Sequence, residues 1–207
     1  MAATPCLRFD ADERAVLLET AASAIESRLA GAADAHPPDP ASLPATIAHA
    51  GSSFVSLQTA AGLRGCCGTL EPLHPLAVDV WRNAQASAFS DPRFAPLAAA
   101  EWHEVTELEI SVLTGFERID VRTEAELLRS LAPGVDGLVL AWRGRRSTFL
   151  PKVWDHVSNA SEFLRRLKEK AGWPADFWAA DLEILRYRAA GMSIERPAAR
   201  ARRPRAG

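Results

Sequence analysis

The chain has 207 residues, 48% of them hydrophobic and 24% charged, with a net charge of −2, a composition that suits one substantial core and excludes wholesale disorder. Five arginines (Arg196, Arg200, Arg202, Arg203 and Arg205) and no acid lie in residues 196–207, so the rest of the chain is more acidic than the net charge conveys, and an acidic body repels phosphate backbones. Three cysteines, two of them adjacent, do not make a secreted disulfide framework. With no leader pattern at the start and no apolar run near the ~18 residues of a membrane span, a cytoplasmic protein without membrane contact is expected.

Asp10 with Glu13 three residues on predicts a reciprocally capped helix, with Leu18, Ala22, Ile25 and Leu29 on its inner face and Gly31 as its stop. Residues 32–45 carry Pro37, Pro38, Pro40 and Pro44 and are expected to run over the surface. Phe54 to Gln58 alternates as a half-buried strand does, Gly62 offers a turn, and Leu63 to Leu70 completes a hairpin. From Pro75 to Phe89 the period becomes helical, with Leu76, Val80, Ala84 and Ala88 aligned and Trp81 beside them. Ser90 to Phe94 reads as a helix-ending turn, because the residue before a proline avoids the α region.

Glu107 to Phe116 is the clearest strand, with Leu108, Ile110 and Val112 on one face. Thr123 and Glu126 open a short helix through Leu131 that Pro133-Gly134 ends. Gly137 to Trp142 and Ser147 to Leu150 read as two strands around a turn at Arg143-Gly144. Pro151 starts a helical turn with Val153, Trp154 and Val157 inward. Asn159 and Glu162 cap a helix through Lys170 whose core face is Phe163, Leu164 and Leu167, and Gly172 stands at its C′ position. Leu182 to Tyr187 is the last expected strand. The interleaving lacks a strict βαβ rhythm, so an α+β fold with a mixed or antiparallel sheet and flanking helices is expected.

Leu63-Arg64-Gly65-Cys66-Cys67-Gly68-Thr69-Leu70 is unusual for a strand, because interior glycines weaken one unless a backbone must bend or something must approach closely. Successive strand side chains point to opposite faces, so Cys66 and Cys67 are expected to diverge unless a bulge intervenes. Arg64 beside an exposed thiol would lower its pKa and raise the nucleophilic thiolate fraction. The competing reading is that both thiols are small core hydrophobes.

Leu63-Arg64-Gly65-Cys66 followed by Gly68-Thr69 resembles the Leu-Arg-Gly-Cys-Ile-Gly-Thr signature of the AMMECR family, which includes protein A of the AmmeMemoRadiSam system. Phe89 to Leu97, Glu109 to Leu113, Gly134 to Leu140, Thr148 to Trp154, Phe163 to Gly172 and Arg186-Tyr187 match in the same order, so the resemblance covers roughly residues 10–188. It implies an α+β fold of two unequal lobes with the signature bordering the groove between them; one such domain is expected over 10–190, after an extension at 1–9 and before a tail at 191–207 whose composition reads as basic and disordered. It also implies a Memo-like protein and a radical S-adenosylmethionine protein as partners, and specifies no reaction. Cys67 stands where an aliphatic residue is usual, which favours a buried Cys67, and Lys152 stands where glutamine is common.

Cys66 is therefore the candidate nucleophile, with Arg64 as anion clamp. Arg64, Gly65, Gly68, Thr69, Asp91, Arg93 and Glu109 are the candidate binding residues. Asp91 and Arg93 read either as an ion pair beside the signature or as a loop clip in which Phe94 anchors the turn. Glu109 points away from Ile110 and Val112, toward solvent or a groove. The five histidines lack ligand spacing, no phosphate-cradling loop follows the glycines, and the cysteines of an iron–sulfur centre are missing, so neither a metal nor a cofactor is expected. Two functions stay open: a substrate-binding or substrate-modifying component acting with those partners, and a non-catalytic scaffold whose signature serves packing. Nucleic-acid recognition through the arginine tail is a third, weaker reading.

Overall fold

The computed structural model describes residues 8–32 and 34–195; the expected arginine tail, and the extension up to residue 7, lie outside the described residues. Two compact units divide the chain, Arg8–Val112 with Ala190 onward, and Leu113–Ala189. In chain order the larger unit contributes α1 (Ala11–Leu29), α2 (Ala45–Ala48), β1 (Ala50–Gly51), β2 (Ser53–Thr59), β3 (Gly62–Gly68), β4 (His74–Pro75), α3 (Leu76–Phe89), α4 (Ala99–Trp102) and β5 (Val105–Leu113). The smaller unit follows with β6 (Glu117–Arg118), α5 (Glu124–Ser130), β7 (Gly137–Trp142), β8 (Arg145–Phe149), α6 (Ala160–Lys170) and β9 (Glu183–Tyr187), after which β10 (Ala189–Glu195) joins the larger unit's sheet. The α+β expectation is met, and β2–β3, β2–β5, β7–β8 and β7–β9 all pair antiparallel.

The larger unit's sheet runs in the order β10-β5-β2-β3. Alternation puts Val55, Leu57, Leu108, Ile110 and Val112 on one buried face, and α3 packs there. Helix α1 in turn packs on α3. Its capping box forms as expected, Glu13 N–H donating to Asp10 at 2.8 Å and Asp10 N–H to Glu13 at 3.0 Å. Its buried face is rotated one residue from the expected one: Leu17, Ala21, Ala24 and Ile25 are buried, while Leu18, Ala22 and Leu29 are half-buried. Alanines let two helices approach closely, and here Ala21 and Ala24 share the contact face with Leu17 and Ile25.

Residues 191–195 correct the sequence reading, which placed them in a disordered tail: they belong to β10. Their chemistry explains the miss, because β10 is an edge strand with Met192 as its one buried side chain and so carries little apolar alternation.

The smaller unit's sheet has the order β6-β9-β7-β8. Leu138 and Leu140 on β7 and Ile184 on β9 meet Phe163, Leu164 and Leu167 of α6 in one core with Trp154 and Trp173, Trp154 stacking on Phe163 at 4.0 Å. The unit's two ends are tied: Thr114 N–H donates to Arg188 O, and Arg188 N–H donates to Thr114 Oγ1, both at 2.8 Å.

Lys168 is fully buried beside this core, its Nζ donating to Glu124 Oε2 at 2.7 Å and to Ala175 O at 3.0 Å. Deleting the half-exposed acid strands a fully buried ammonium, whereas removing the buried lysine leaves only a carboxylate that water can reach. Glu124→Ala is therefore expected to lower unfolding free energy by about 3 kcal/mol, and Lys168→Met to change it by less than about 1 kcal/mol, in urea titrations.

Candidate functional site

The signature occupies β3, the edge strand next to β2. Leu57 pairs with Gly65 and Gln58 with Leu63, which leaves Arg64 as the extra residue of a β-bulge. A bulge re-aims a side chain, and this one turns Arg64 onto the 91–101 segment. Its Nε and Nη2 donate to the two carboxylate oxygens of Glu101, each at 3.1 Å, and Nη2 also donates to Ala95 O at 2.9 Å. The guanidinium holds Glu101 below the usual carboxylate range. The bulge thus lies at Arg64 and not between the cysteines, so Cys66 and Cys67 keep opposite faces.

Gly65 faces α3, and a Cβ there would lie 2.1 Å from Ser87 O. Cys67 shares that face, its N–H donating to Ser87 Oγ at 2.8 Å. Burial pushes the Cys67 thiol up from its ordinary range, and the Asp91 charge adds to the effect. Gly68 is a second close approach: a Cβ would lie 2.3 Å from the Phe54 ring and 2.5 Å from Ser53 O. Both glycines fit the reason given for an interior strand glycine.

Cys66 lies on the other face; both thiols are half-buried, so the buried Cys67 that the sequence favoured is not found. Cys66 pairs with Ser56, which pairs on its far side with Glu109, so thiol, hydroxyl and carboxylate residues form one row across three strands. Ser56 Oγ donates to Cys66 Sγ at 3.3 Å. Glu109 is half-buried and is not free.

The outward edge of β3 is closed by side chains from the turn after α3. Asp91 Oδ2 accepts the Cys66 N–H at 2.9 Å, and Arg93 Nη2 donates to the Cys66 carbonyl at 3.3 Å. Together they satisfy one residue's donor and acceptor as a neighbouring strand would, which blunts an edge. Asp91 also accepts from the Arg93 N–H, Nε and Nη2. Asp91 is 3% exposed and Arg93 53%; the Arg93 guanidinium holds the Asp91 carboxyl well below the usual range against its burial. Phe94 lies between the cations, 5.5 Å from the Arg64 guanidinium and 5.4 Å from that of Arg93.

This arrangement corrects the sequence reading in one respect. Arg64, expected as the cation beside the thiol, is neutralised by Glu101, and Arg93 is the cation whose charge reaches both thiols. Cys66, Asp91 and Arg93 are brought together, and Glu109 shares the Cys66 row through Ser56. Thr69 belongs to another cluster. Its Oγ1 donates to Asp79 Oδ1, while Asp79 Oδ2 accepts from Ser53 N–H at 2.8 Å, Ser53 Oγ at 2.7 Å and Asn83 Nδ2 at 2.8 Å. Burial raises the Asp79 pKa, opposed by those hydrogen bonds.

Asp79, Asn83 and Ser87 were missed by the sequence analysis, although they recur every four residues on the apolar face of α3, a polar stripe where an ordinary core helix has none. Glu101 and Ser56 left no comparable signal. Among the described residues no three His, Cys, Asp or Glu side chains are grouped to hold a metal, and no helix is long and apolar enough to cross a membrane.

A family model described as AMMECR1 matches residues 18–192. A protein of Methanothermobacter thermautotrophicus is 35% identical over 184 residues, covering 86% of this chain and 92% of the relative. A protein of Thermofilum pendens is 34% identical over 194 residues, covering 88% and 90%. The crystal structure of an uncharacterized protein from Pyrococcus horikoshii superposes with a TM-score of 0.79 at 30% identity, covering 86% of this chain and 89% of that one.

Proposed function

The chain belongs to the AMMECR1 family, and on that premise we propose that it is a cytoplasmic binding component acting with a Memo-like protein and a radical S-adenosylmethionine protein, and that it receives a substrate or partner at the Arg64–Cys66 segment. One observation carries the reading. Arg64 and Asp91 are committed to internal bonds, Arg93 to Asp91 and the Cys66 carbonyl, and the two glycines to close packing. These residues build a rigid platform rather than supply an acid or base, since general acid–base work needs a group within reach of substrate with a pKa near the working pH. What the platform presents, on the face away from α3, is the Cys66 thiol.

A second reading, Cys66 as nucleophile, is favoured by a different observation. Ser56 Oγ donates to Sγ, and the Arg93 guanidinium donates to the carbonyl of the same residue, so a hydroxyl and a cation flank the thiol.

Alkylation of the native protein, followed site by site by mass spectrometry across pH, tests the presentation of the thiol. Cys66 is expected to label in the folded state, with Cys67 lagging because burial and the Asp91 charge push its thiol up; protection of Cys66 would overturn it. Affinity capture with the two purified partners then separates the functions. A binding component retains capture and partner turnover as Cys66→Ser, whereas a nucleophile retains capture and loses turnover. A wild-type chain that captures neither partner removes the proposal.

A further inference from the structure

The two edges of the larger unit's sheet are finished differently. On β3, Asp91 and Arg93 occupy the Cys66 N–H and carbonyl. In the smaller unit β6 is two residues long, and on β8 the Thr148 carbonyl accepts from Lys170 Nζ at 2.9 Å. Short edges, edge lysines and capping side chains are the usual means of stopping a sheet from adding a strand. β10 has none of them. It runs for seven residues without a proline, lysine or arginine, and among the described residues no group outside the sheet is hydrogen-bonded to its backbone.

The groups that point outward follow from how the strand begins. Arg188, just before β10, turns both its carbonyl and its N–H onto Thr114, just after β5. Backbone groups alternate sides residue by residue along a strand. Ala190, Met192 and Ile194 therefore bond toward β5, and Ala189, Gly191, Ser193 and Glu195 present their N–H and C=O groups away from the sheet.

That outward pattern is complementary to itself. Antiparallel pairing with its own copy, about a two-fold axis at Met192, sets Gly191 against Ser193 and Ala189 against Glu195 as bonded pairs. Ala190 and Ile194 then oppose each other between them. Every outward N–H and C=O gains a partner, and no two like charges within β10 meet. Ile194, 46% exposed, is covered by the partner's Ala190. A two-fold contact of this kind closes on itself and forms no filament. We propose that β10 is a docking edge for a second copy of this chain, joining two four-stranded sheets into one. The contact is a single strand pair, well below the size of a permanent interface, so the dimer is weak, with a Kd on the order of tens of micromolar.

Sedimentation equilibrium of the full chain from about 1 to 300 µM, with amide exchange read residue by residue by NMR, tests this. Wild type should pass from monomer to dimer, and the Gly191 and Ser193 amides should gain protection as concentration rises. The Met192 and Ile194 amides, bonded to β5, should be protected throughout. Ser193→Pro removes an outward N–H, which an edge strand tolerates, and Ile194→Lys puts a charge where the copy would pack. Each should fold as wild type does and weaken dimerisation at least about tenfold. A wild-type chain that stays monomeric overturns the proposal. So does a dimer that Ile194→Lys and Ser193→Pro both leave intact, or protection of Gly191 and Ser193 that does not change with concentration.

Discussion

Gly65→Ala is expected to lower unfolding free energy by about 3 kcal/mol or more. The added carbon would lie 2.1 Å from Ser87 O, a backbone atom in the last turns of α3, and 3.0 Å from the carbonyl carbon behind it. Relief requires the helix to move away from the edge strand. That movement would also disturb the Cys67 N–H bond to Ser87 and the Ser87 Oγ bond to Val55 O. Gly68→Ala meets one movable neighbour, the Phe54 ring, and one fixed neighbour, Ser53 O, and should fall between. Gly115→Ala meets nothing within 4 Å and should stay within about 0.5 kcal/mol of wild type. Urea midpoints for the three variants check the ranking, and a Gly65→Ala protein as stable as Gly115→Ala would contradict the close packing of α3 on β3.

Asp91→Ala should cost about 3 kcal/mol near neutral pH, because it strips the Cys66 N–H of its acceptor and leaves the Arg93 guanidinium without its counter-ion. The sign of the pH dependence follows from the direction of the Asp91 shift. Arg93 holds the folded carboxyl below the ~3.9 of an unfolded aspartate, so its contribution is full above that value and fades as pH falls toward the folded one. The gap between wild type and Asp91→Ala should therefore narrow on acidification below about pH 4. Asp79 works in the opposite sense. Burial raises its folded pKa, so the folded state takes up that proton first and gains stability as pH falls through the raised value. Wild-type protein should consequently lose less on mild acidification than Asp91 alone would dictate. Denaturant midpoints taken between about pH 3 and 7 check both statements, and a gap that does not change with pH would refute the role given to Asp91.

Much of the fold was legible because local signals agree with it. Asp10 with Glu13, Thr123 with Glu126 and Asn159 with Glu162 mark helix starts that form as read. The alternation through Leu108, Ile110 and Val112 marks the strand whose inner face is buried. The failures have identifiable causes. An alanine-rich helix lets either of two adjacent stripes be the inner one, and packing on α3 decides. An edge strand such as β10 has little to bury and so carries no alternation. The signature was legible as a place, since glycines around cysteines are anomalous in a strand. Its wiring was not, because the bulge at Arg64 and the carboxylate of Glu101, thirty-seven residues away, depend on tertiary structure that no local pattern encodes.

The path of the chain also sets the order in which the larger unit becomes complete during translation. Its four-stranded sheet takes β10 as the neighbour of β5, yet Leu113–Ala189 must be synthesised between those two strands. At about 5–20 residues per second that interval lasts on the order of ten seconds. Throughout it the nascent sheet ends at β5, a long strand whose backbone groups have no partner on that side, the condition under which chains associate wrongly. The opposite edge meets no such delay, since Asp91 and Arg93 emerge within thirty residues of the strand they cap. Selection against misassembly on the ribosome should therefore act more strongly on the outward side chains of β5 than on those of β3.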